Sequence, residues 1–173
     1  MKLLTIAAQL LGLVLLVPVV VIATLYFRNY NHDGPSVIFP GGELVSGELY
    51  RGPEPDWSFT DQVQTVHLQL ENPLRSRLTW IEENDGKIYI TSDYMGTWLG
   101  RVWKRWAVQA YEGDGLAVLR INGVRYERKL VRVLDGPELD GVIAKKIAKY
   151  RSRITREHIA SGETWVFELA PRS

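Results

Sequence analysis

The stretch LAVLRINGVRYERKLVRV, residues 116–133, decides the fold. Two β-rich runs, 116–121 and 124–133, flank Asn122-Gly123, and Asn-Gly supplies the positive φ that a two-residue hairpin turn needs. An antiparallel pair is therefore predicted here. A second hairpin is predicted upstream, where residues 77–83 and 87–92 meet through Asn84-Asp85-Gly86, again a positive-φ turn sequence. Residues 64–71 alternate strictly, with Val66, Leu68 and Leu70 on one face and Thr65, His67 and Gln69 on the other. Residues 43–50 read as an opening strand and 164–169 as a closing one. Six or seven antiparallel strands in one domain predict a closed or half-closed, split β-barrel.

Two peripheral helices interrupt the strands. Residues 137–150 place Leu139, Val142, Ile143, Ile147 and Tyr150 on one stripe, with Lys145, Lys146 and Lys149 elsewhere. Asp135 stands three residues before Glu138 as in a capping box, and Pro137 suits a first turn. Residues 97–110 carry Leu99, Val102, Trp103, Trp106 and Ala110 at helical spacing, with Arg101, Lys104 and Arg105 opposite. Gly100 lowers the propensity of this second helix.

Ahead of the domain, residues 3–27 hold no charge and are rich in Leu, Val, Ile and Ala. At ~1.5 Å per residue the run exceeds the ~30 Å hydrocarbon thickness of a bilayer, where a helix satisfies its own backbone. It reads as a membrane-spanning helix that contacts the lipid bilayer through residues 3–27. A removed secretory signal fits less well: its apolar core runs to ~7–15 residues and ends in small residues, not Leu25-Tyr26-Phe27-Arg28. The division predicted is an anchor at 1–28, a polar linker at 29–36 and a split-barrel-like domain at 37–173. Lys2 before the helix, against Arg28 and then Asp33 after it, leans the domain outward. A single-pass protein of a bacterial inner membrane with a periplasmic domain is expected, and the lack of Cys agrees.

Lys and Arg number 21 against 20 Asp and Glu, a balance that argues against a nucleic-acid surface. His32, His67 and His158 lack metal-ligand spacing and read as surface residues. Glu82, Glu83 and Asp85 read as solvated turn acids. Ser92 and Ser161 have no nucleophile-elbow context, and no Gly-rich phosphate loop opens a helix.

The strongest chemical cluster runs from Thr91 to Trp106, after a strand region holding Arg75 and Arg77. Hydroxyls at a strand end, backed by guanidinium and ammonium groups, make a seat for phosphate. Trp98, Trp103 and Trp106 offer flat faces for a ring-binding cleft. The residues equally allow a basic amphipathic helix laid on a barrel, its tryptophans in the core.

The order strand, Asp-Gly turn, Lys87-Ile-Tyr-Ile-Thr-Ser92, basic helix, then Leu116-Ala-Val-Leu-Arg-Ile-Asn-Gly123 resembles the FMN-binding split-barrel superfamily, which includes pyridoxamine-phosphate-oxidase-like proteins and deazaflavin-dependent nitroreductases. The resemblance covers roughly residues 64–172. It implies FMN or a deazaflavin (F420) as cofactor, with Arg75 or Arg77 reaching the phosphate. It further implies Thr91 and Ser92 as the hydroxyl pair, Arg101 or Lys104 as the basic residue after it, and Trp103 or Trp106 bordering the ring. A homodimer is implied in the same way. The spacing from Ser92 to Lys104 is longer than in the oxidases, which puts the tail contact in doubt. Three functions are therefore weighed: a membrane-anchored flavin or deazaflavin oxidoreductase working by cofactor hydride transfer; a non-catalytic ligand- or partner-binding barrel that has lost the cofactor; and a 101–106 helix lying on the bilayer.

Overall fold

The computed structural model describes residues 2–172. Helix α1 (Lys2–Tyr30) opens the chain, and within it Gln9–Tyr30 is long and apolar enough to cross a membrane. None of its apolar window is buried, and only its last residues touch the rest of the chain. Pro18 lies inside the helix without ending it. Tyr30 and the residues after it are held to the domain: the Arg75 guanidinium stacks 3.5 Å over the Tyr30 ring. Asp33 accepts from the backbone N–H of Val45 and Ser46 and pairs with Arg120 at 2.7 Å.

The domain is a curled, mainly antiparallel sheet forming a half-barrel. Its strands are β1 (Glu48–Leu49), β2 (Val66–Leu70), β3 (Arg75–Thr79), β4 (Glu82–Asn84), β5 (Lys87–Ser92), β6 (Leu116–Ile121), β7 (Val124–Val133) and β8 (Trp165–Pro171). They lie in the order β3-β2-β6-β7-β8-β5-β4, with β1 on β7 beyond the reach of β8. Both turn sequences form the predicted hairpins: Asn122 and Gly123 have φ of 50° and 81°, Asp85 and Gly86 of 54° and 76°. Val66, Leu68 and Leu70 face the barrel core, as their alternation predicts.

Two strands differ from the expectation. The opening strand shrinks to two residues and runs parallel to β7, and Leu44, within the predicted run, gives its N–H to the Gln69 side chain at 2.6 Å instead of to a strand. The run 77–83 is two strands. β3 pairs with β2 at one edge of the sheet and β4 pairs with β5 at the other, so Trp80-Ile81 alone steps between the two edges. That step is the split in the barrel.

The helices differ too. Residues 97–110 form α2 (Trp98–Trp103) and α3 (Arg105–Glu112), broken at Lys104, whose ψ of 33° leaves the helical region. Trp106, Ala107 and Ala110 of α3 close the barrel interior with Leu68, Leu119, Ile90 and Phe167, whereas Leu99, Val102 and Trp103 of α2 stay exposed. Gly100 is required where it stands, because a Cβ there would lie 1.6 Å from the Tyr94 carbonyl oxygen. Helix α4 (Glu138–Tyr150) and the unanticipated α5 (Arg156–Ala160) cover the outer face of β5 and β8, burying Leu139, Val142, Ile154 and Ile159. The Asp135 capping box does not form: Asp135 accepts from the Gly136 N–H, and α4 starts at Pro137 without a side-chain cap.

Candidate functional site

The carboxyl-terminal half of α4 plugs the split. Tyr150 accepts from the Ile81 N–H at 3.0 Å, its ring stacks on Trp80 at 4.5 Å, and Lys149 donates to the carbonyls of Thr60 and Ile81. One turn earlier on the same helix, Lys146 is 0% exposed. Its ammonium donates to Thr91 Oγ1 at 2.6 Å and to both Asp93 carboxylate oxygens at 2.9 Å. Asp93 in turn accepts from the Thr164 hydroxyl at 3.0 Å. Burying an ammonium is costly unless it is paired and its protons are used. Here all three are.

Beside this pair opens a cleft of about 370 Å³, lined by Thr79, Trp80, Thr91, Asp93, Tyr94 and Lys104, with Val37 at its rim. The volume lies at the lower end of small-molecule sites. Lys104 is half-buried, and burial pulls its pKa below the usual lysine range while Asp93 opposes the fall; Arg77 and Lys146 are the other charges it feels. Arg77 is half-buried, its guanidinium 5.5 Å from the Trp106 ring and its Nε without a partner. Burial lowers its pKa to about 10, which leaves it charged at neutral pH. The charges that Lys104 feels are thus two cations, Arg77 and Lys146, and one carboxylate, that of Asp93, which Lys146 already holds.

Glu82, read from sequence as a solvated turn acid, is instead 0% exposed. Its place opposite Tyr89 in the β4–β5 ladder sends it inward under α4. Neither carboxyl oxygen has a hydrogen-bond partner, and burial raises its pKa to about 8 despite Lys146 and Lys149 nearby. At neutral pH the group is therefore mostly protonated and does not cancel the cations. His67 also departs from a surface reading: it is half-buried against Arg120 at 3.0 Å, and burial, then Arg120, lowers its pKa.

The eight residues singled out by sequence do not form one seat. Thr91 and Lys104 line the cleft, and Arg77 lies behind it. Arg75 is on Tyr30, near the end of α1. Ser92 is buried and donates to Met95 Sδ at 3.3 Å, while Arg101 donates to the Met95 carbonyl. Trp106 is core, and Trp103 stacks on Tyr94 outside the barrel. Of the hydroxyl pair that a flavin phosphate would use, Ser92 is thus turned to Met95, while Thr91 lines the cleft and accepts from Lys146. Lys146, Asp93, Glu82, Trp80 and Tyr94 were missed. Asp93 directly follows Thr91-Ser92, and it is the one whose position carried a signal. Among the described residues no group of three or more His, Asp or Glu is placed to hold a metal ion.

Compared with family models and with curated proteins, the chain matches none. The likeness to flavin-binding split barrels stays one of element order.

Proposed function

We propose that this protein is a membrane-tethered binding barrel whose cleft holds a small anionic ligand bearing a flat ring, without catalysing a reaction on it. The observation that carries the reading is Lys104, a half-buried cation on the cleft wall beside Thr91, where Coulomb attraction for an anion is stronger than in bulk water. Trp80 and Tyr94 on its walls supply ring faces. Asp93 is bound by Lys146 and Thr164, and Thr91 accepts from Lys146, so these groups shape the cleft and Lys104 is left to meet the ligand.

A narrower reading makes the anion the phosphate of FMN or a deazaflavin and the protein an oxidoreductase. The ring faces beside Lys104 favour it; Ser92, turned to Met95 and absent from the cleft wall, counts against it. The chain in detergent, titrated with phenyl phosphate, FMN and riboflavin, tests both. Phenyl phosphate should bind, and Lys104→Gln should weaken it about tenfold, the effect of losing one charge-assisted contact. FMN retained with a flavin absorbance, at least tenfold tighter than riboflavin, selects the narrower reading. Failure of both phosphates to bind refutes the site.

A further inference from the structure

Seven residues beyond α1 the chain turns back along it. Asn29 donates to the carbonyls of Phe39 and Pro40 at 3.1 and 2.8 Å, and the Phe39 ring meets Tyr26 edge-on at 6.2 Å. The return leaves Val37 89% and Ile38 81% exposed beside Leu25 and Arg28. Val37 also stands at the rim of the cleft that Tyr94 and Lys104 line. Tyr94 stacks on Trp103 at 6.0 Å, and Trp103 is 69% exposed. From there α2 continues the apolar surface with Trp98, Leu99 and Val102, all open to solvent. Arg101 on α2 and Arg105, just past the break at Lys104, are also exposed. Gly100 lets α2 lie close against the Tyr94 backbone.

We infer that this face, from Val37 and Ile38 through Tyr94 to α2, docks onto the anionic surface of the bilayer that α1 enters. A monomeric domain rarely leaves so many large apolar side chains together in water. Exposed Trp with flanking Arg is the composition that settles at headgroup level, apolar rings down and guanidinium groups among phosphates. The face is continuous with the end of the candidate span through Val37 and Ile38, which fixes its height near the membrane. A second copy is the weaker occupant, because a twofold contact would bring Arg101 and Arg105 against their own kind.

The chain has no cysteine, so Leu99→Cys and Val102→Cys each accept a single nitroxide. Lys87→Cys, at the far end of β5 and roughly 16 Å along the strand from Ser92, is the aqueous reference. The probes are proteoliposomes of phosphatidylglycerol and phosphatidylcholine, with oxygen and a nickel chelate as relaxants. Carbonate extraction of the same preparation checks the anchor separately. Labels at 99 and 102 should favour oxygen over nickel at least fivefold more than the label at 87, and brominated lipid should quench the unlabelled chain's tryptophan emission. Replacing Trp98 and Trp103 by Phe should remove most of that quenching. Labels at 99 and 102 as aqueous as 87, with the chain still resisting carbonate, overturn the inference. So does spin–spin broadening between copies at high dilution in lipid, which would put a second copy on the face. An equal oxygen contrast in phosphatidylcholine alone overturns the assignment to anionic lipid.

Discussion

Replacing Glu82 by Gln isolates the energy of one buried carboxyl. In the fold this group titrates at about 8, against an ordinary 4.5. Between those values the native state holds a proton that the unfolded chain has released. Stability therefore falls as pH rises from 4.5 towards 8 and levels off above. At ~1.4 kcal/mol per pH unit the group removes on the order of 3 kcal/mol between pH 5 and pH 8. Gln has the same shape and cannot ionise. Urea unfolding of parent and Glu82→Gln in detergent, followed by tryptophan emission, gives the difference at each pH, in which other titrating groups cancel. The variant should be close to the parent at pH 5 and more stable by a margin that grows up to pH 8 and then stays constant. A difference that is flat with pH refutes the burial argument. A difference that shrinks as pH rises through 4.5 and is flat above pH 5 would mean that Lys146 and Lys149 hold the carboxylate charged.

Three further outcomes follow from the same geometry. Asp93→Asn strands the buried Lys146 ammonium and should destabilise the domain by about 3 kcal/mol, whereas Lys146→Met removes the charge at similar volume and should cost less; the reverse order in urea midpoints would disprove the pairing account. Gly100→Ala should lower stability by about 2 kcal/mol by driving α2 off the Tyr94 carbonyl, and an unchanged midpoint would show that α2 is free to move there. A carboxyl-terminal alkaline phosphatase fusion should be active if the domain lies outside the cytoplasm, and a fluorescent carboxyl-terminal GFP would place it inside.

Much of the sheet was legible because its turns depend on local stereochemistry. Asn122-Gly123 and Asp85-Gly86 demand positive φ, and such positions admit few residues wherever the chain goes. The alternation of Val66, Leu68 and Leu70 was readable for the same local reason. What sequence could not give was partnership. Residues 77–83 have strand propensity throughout, yet nothing in them says that Thr79 belongs to one sheet edge and Glu82 to the other. The site was hidden by the same blindness. Lys146 sits among Lys145 and Lys149 as any solvated helix face would, and only its meeting with Asp93, 53 positions away, buries it. Conversely Ile147, assigned to the apolar stripe, is exposed because the helix turns its lysines to the split. Trp103 and Trp106 are three residues apart and read alike; the break at Lys104 sends one to solvent and the other to the core.

The position of β8 bears on how the chain assembles. The last strand in chain order lies in the middle of the sheet, between β7 and β5. Until it is in place, β4 and β5 have no ladder to the other strands, and Trp80-Ile81 joins two halves with nothing between them. A ribosome delivering this protein amino terminus first would set its apolar helix into the membrane early. The half-sheets would then wait, with their inner edges unpaired, for residues 165–171. Contacts of such long sequence separation form slowly, and unpaired strand edges invite other chains. With the candidate span inserted, the anchor would be in place before residues 165–171 are made, so insertion and closure of the sheet would be separate events in time.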